Sequence, residues 1–149
     1  MSSAAAGTDT GTIHSETVSP RVRWSRLIFA AASIIFAAAV FIQVFLAGLA
    51  LFAGASIDMH RTFARVFEIT GLVLIVTAFL GRLPRNLIIA SVALFGLLIV
   101  QGLLMYMRSA SPVLPALHPV NAIALFWLAS WIARQSLDFL PRAGSAAEG

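Results

Sequence analysis

Two histidines occupy matching places in this chain. His60 lies 17 residues after Gln43, and His118 lies 17 residues after Gln101. The pairs Gln43 with Gln101, His60 with His118 and Ala64 with Ala122 are each 58 positions apart (101 − 43, 118 − 60, 122 − 64). Neutral imidazole is both a metal donor and a proton carrier near neutral pH, so its recurrence at one spacing suggests two hairpins that each offer one ring at the same depth. No cysteine is present, which removes disulfides, thiolate metal sites and cysteine nucleophiles. The third histidine, His14, falls in a small, polar, aperiodic stretch and is expected to be solvated and idle. Glu68 has three readings: a proton carrier, a polar contact to a bound cofactor, or the partner of Arg65 one helical turn away, the last being the simplest. Gln43 and Gln101 are expected to bond across helices or to the free ring nitrogen of a histidine.

The elements that must position these residues follow from composition. The chain has 149 residues, 60% of them hydrophobic and 11% charged, far more apolar than a soluble domain of this length hides in one core. An integral membrane protein is the expectation. All ten basic residues are arginine, giving a net charge of +4 that is too diffuse for a nucleic-acid surface. Leu27 to Ala53 is too long and apolar for a signal peptide and reads as a first membrane helix. A second runs from Asp58, its expected N-cap, to Leu80, with Gly81 and Pro84 ending it. A third covers Leu87 to Met107. Prolines between Ser109 and Pro119 are expected to delay the fourth until His118, from where it continues to Phe139.

Four helices with short connections make antiparallel neighbours, hence an all-α, up-down four-helix bundle built from two helical hairpins. Residues 1–22 and 141–149 are expected to be disordered cytoplasmic tails around a transmembrane domain of 23–140. With both termini in the cytoplasm, seven arginines (Arg21, Arg23, Arg26, Arg82, Arg85, Arg134 and Arg142) lie inside and three (Arg61, Arg65 and Arg108) outside, the favoured orientation. Both histidines then sit near the outer surface.

On a helical wheel Ala64, Phe67, Gly71 and Ala78 fall beneath His60, and Ala122, Leu125, Ala129 and Ser136 beneath His118. Small residues there serve close helix packing, or they leave room for a flat macrocycle whose iron takes one imidazole from each side. In the second reading Arg61 and Arg108 meet haem propionates; in the first they meet lipid phosphates. Trp24, Trp127 and Trp131 read as interface and packing aromatics.

The segment IQVFLAGLALF followed by HR, and the glutamine followed by LHPVNA, resemble small, uncharacterised bacterial four-helix membrane proteins and, more distantly, one half of haem A synthase. The resemblance spans about Phe41 to Arg134. It implies a bacterial cytoplasmic membrane location and a b-type haem held by His60 and His118, with Arg61, Arg108, Gln43, Gln101, Ala64 and Ala122 around it. Relative to haem A synthase the chain has a single half, no loop cysteines and no acid in the first helix or in the loop before Asp58. Haem binding is thus implied more directly than synthesis, and no enzymatic activity is expected of the chain by itself. Expected partners are the lipid bilayer and a redox partner or membrane complex, with the oligomeric state left open. The alternative is a cofactor-free accessory or assembly subunit.

Overall fold

The computed structural model describes residues 18–140. Helix α1 spans Pro20–Phe52, α2 Asp58–Leu80, α3 Arg85–Tyr106 and α4 Val113–Ser136, with short 3-10 turns at Met107–Ser109 and Leu137–Phe139. The helices form a ring: α1 packs on α2 and α4, and α3 packs on α4 and α2. This is the up-down four-helix bundle expected from hydropathy. In each helix only 17–28% of the most apolar window is buried inside the bundle, so most of that apolar surface faces outward. Phe41, Phe45, Ile69 and Ile123 are each more than 60% exposed, an arrangement that needs a hydrocarbon solvent. The chain is a multi-pass membrane protein.

The repeat runs the length of the bundle. Buried Phe29, Ala32, Ser33, Phe36 and Val40 of α1 each have a buried counterpart 58 positions later in α3: Leu87, Ala90, Ser91, Leu94 and Leu98. Phe67, Gly71, Leu74 and Ala78 of α2 correspond in the same way to Leu125, Ala129, Ile132 and Ser136 of α4, again all buried. Ser33 Oγ lies 3.4 Å from Ser136 Oγ, and each hydroxyl also donates to a carbonyl of its own helix, which satisfies it within the apolar core.

The end of the bundle opposite the histidines is stitched by Arg26. Its Nε donates to Gly81 O at 2.9 Å, and its guanidinium carbon lies 6.0 Å from the centre of the Phe139 ring. One side chain of α1 thus ties the α2–α3 turn to the C-terminal 3-10 turn. At that turn Leu83 N donates to Ala78 O, closing α2 through a left-handed residue. That residue is Arg82 (φ 49) and not Gly81. Gly81 is small for a different reason: a Cβ there would lie 2.9 Å from Thr77 O and 3.3 Å from Arg26 Cγ.

Three boundaries differ from expectation. Helix α1 begins at Pro20, inside the stretch assigned to a disordered tail, because Pro fits the first turn of a helix, where its missing N–H is not needed. Helix α4 begins at Val113, well before His118. Pro112 precedes it and Pro115 falls in its first turn, where amides have no intrahelical acceptor, and only Pro119 removes an interior bond. Asp58 is the first helical residue of α2 and not its cap, its amide being received by Ser56 Oγ at 3.1 Å. The remainder of the tails, with His14 and Arg142, lies outside the described residues.

Candidate functional site

The site is the end of the bundle where α1 leads into α2 and α3 into α4. His60 projects from the first turn of α2 and His118 from the second turn of α4, both half-buried. His60 Nδ1 lies 3.1 Å from Gln43 O, and His118 Nδ1 lies 3.1 Å from Gln101 O. A carbonyl only accepts, so Nδ1 carries the proton in both rings, and in the neutral imidazole the lone pair is left on Nε2. The two ring centres are 6.3 Å apart, with their planes inclined at 61°. Each hairpin therefore presents its imidazole through the same contact with the preceding helix, and the two rings meet.

The glutamines contribute differently from expectation. It is the main-chain carbonyl, and not the side-chain amide, that holds each histidine. A helical carbonyl keeps a second lone pair after accepting its intrahelical bond, and the imidazole takes it. The amides themselves are unlike. Asn121 Nδ2 donates to Gln101 Oε1 at 2.6 Å and to Leu97 O at 2.9 Å, locking α4 to α3. At the equivalent place in α2 stands Phe63, stacked on Phe67, and buried Gln43 Oε1 has no hydrogen-bond partner. Asn121 is the polar residue that the spacing argument overlooked. It was marked in the sequence as an amide inside an apolar run, three positions after His118.

Ala122 is buried and Ala64 partly so, one turn beyond each histidine, which keeps the space beneath the rings narrow-walled. Arg61 is exposed and pairs with Asp58 at 3.5 Å, a contact of small energetic weight between solvated groups. Arg108 is exposed too, its Nη1 donating to Met105 O at 3.2 Å. Neither arginine turns inward to the rings. Glu68 is exposed on the outer side of α2, and among the described residues it forms no ion pair with Arg65. Both are on the outward side of α2, and neither contacts a histidine. Trp24 and Trp127 are outward-facing aromatics, while Trp131 packs against the core. Among the described residues no group of three or more His, Asp or Glu side chains converges to hold a metal ion.

A model of a family of unknown function (DUF6220) matches residues 43–109, from Gln43 in α1 through α2 and α3. The matched segment, less than half of the chain, includes Gln43, His60, Glu68 and Gln101 and stops before His118. No curated protein and no solved structure matches the chain. The similarity is thus to an uncharacterised family, and none of these comparisons extends it to haem A synthase.

Proposed function

We propose that His60 and His118 are the axial ligands of a b-type haem held between α2 and α4, making the protein a membrane haem protein for electron transfer, haem handling or redox sensing. The meeting of the two rings carries this reading. Imidazole nitrogen is a common ligand of haem iron, and each hairpin brings one ring to the same place. The ring centres are 6.3 Å apart. Each Nδ1–H is already given to a carbonyl, the usual outer partner of a ligating histidine, which orients the ring and leaves Nε2 as donor. A pair of histidines suits a cofactor that brings the other four nitrogens itself.

Bound there, haem would supply one-electron redox chemistry, with His60 and His118 as the residues that would hold it. The chain's own contribution would be to hold each Nδ1–H on a carbonyl, bring the two rings together with centres 6.3 Å apart, and line the space beneath with Ala64 and Ala122.

The absorption spectrum of protein expressed with ample haem, oxidised and reduced, tests the reading. A six-coordinate low-spin spectrum is expected, turning five-coordinate or disappearing in His60→Ala and in His118→Ala but not in His14→Ala. A folded, colourless protein would sink it. The cofactor-free accessory bundle would then stand, supported by the fact that each histidine already closes its own hairpin by bonding a carbonyl 17 residues earlier.

A further inference from the structure

The outward face of α2 carries a charge couplet that the bundle does not use. Glu68 is ten residues into α2, about 15 Å from the start of a helix roughly 35 Å long, and so close to the middle of the apolar layer. It is exposed there, as is Arg65, and neither forms an ion pair among the described residues. A carboxylate facing hydrocarbon at that depth is unfavourable, and such residues normally face protein or water.

The repeat sharpens the point. The positions equivalent to Arg65 and Glu68, 58 residues on, are Ile123 and Phe126, both apolar and both exposed. The fold therefore requires no charge at these places, and the face of α4 that corresponds to this one is built for lipid. Along α2, Arg65, Glu68, Leu72, Ile75 and Phe79 follow the alternating three-and-four spacing that keeps one seam against a partner helix. All but Ile75 are exposed, and Ile75 is partly so.

We propose that the occupant of this seam is a second copy of the chain, with α2 beside α2 and Arg65 of each copy paired with Glu68 of the other. Two copies in one membrane share an orientation, so their symmetry axis runs along the membrane normal and the two α2 helices are parallel. Residues three apart differ in height by about 4.5 Å, within the reach of an arginine to the neighbouring carboxylate. The acid and the base on one seam are self-complementary: both crossed pairs form at once, and Leu72, Ile75 and Phe79 pack beneath them. This inference is independent of the haem reading, since neither Arg65 nor Glu68 contacts a histidine.

The natural absence of cysteine gives a direct test in the full chain in liposomes. Leu72→Cys should form a disulfide-linked dimer on mild oxidation, at least fivefold more than Ile123→Cys on α4. In the Leu72→Cys background, Arg65→Glu and Glu68→Arg should each lower the yield more than fivefold, and the two together should restore it to within twofold. Arg65→Gln and Glu68→Gln, which change shape little, should lower it in the same direction and cover the case in which a charge reversal fails to accumulate. Equal cross-linking at Leu72 and Ile123, a yield indifferent to the neutral substitutions, or an accumulating double swap without rescue would each overturn the proposal.

Discussion

Gln43 and Gln101 share a spacing, a helix position and a histidine, yet their amides end in opposite states. Gln101 Oε1 accepts from Asn121, whereas Gln43 Oε1 is buried without a donor. Interhelical hydrogen bonds in membranes contribute about 0.6 kcal/mol on average and up to roughly 1.7. Gln101→Leu and Asn121→Leu should therefore each lower stability by about 1 kcal/mol, because each leaves or removes half of a satisfied pair. Gln43→Leu should be neutral or stabilising, since it deletes an unmet acceptor. Unfolding of the three variants in mixed micelles, side by side, decides this. A loss at Gln43→Leu as large as at Gln101→Leu would show that a bound group supplies the missing donor. The spacing exposed the histidines and glutamines in the bare sequence because residue type and interval are both printed there. That the imidazoles bond main-chain carbonyls was not visible, since every residue has one.

At the scale of the element, small residues at the turns matter as much as apolar ones in the helices. Gly81 sits where any side chain would press on Thr77 O and on the Arg26 stem. Gly81→Ala should cost about 1–3 kcal/mol, the usual range for overpacking, and should also weaken the Arg26 contact. Thermal unfolding of Gly81→Ala beside Gly96→Ala, where a Cβ meets nothing within 4 Å, separates the effect from a general glycine effect. Long apolar runs made the four helices legible. Their starts were less so: prolines read as breaks, although in α4 Pro115 occupies a first-turn position where no hydrogen bond is lost. The wheel faces of α2 and α4 were readable because burial repeats with the helical period. Arg65 and Glu68 were not, since an i, i+3 spacing permits an ion pair without requiring one.

The whole molecule is one hairpin used twice. The arginine distribution favours cytoplasmic termini, an orientation that single cysteines test. Ala55→Cys and Ala110→Cys, both in exposed connections at the histidine end, should react with an impermeant thiol reagent added outside intact cells. Asn86→Cys, at the opposite end, should react only after permeabilisation. The reverse pattern would turn the molecule over in the membrane and carry both histidines with it. The depth of the repeat exceeded what identity alone displayed, because matched positions often hold different residues of one burial class, as Phe29 and Leu87 do.

That doubling also has a direction. The two hairpins are related by a turn about an axis perpendicular to the membrane, so α1 and α3 run the same way and the halves are not inverted copies. Inverted halves let a rocking bundle show one central site first to one compartment and then to the other. Hairpins that point the same way instead bring the same end of each half together. The two imidazoles therefore stand at one and the same end of the bundle, in the first turn of α2 and the second turn of α4, and neither has a counterpart at the other end among the described residues.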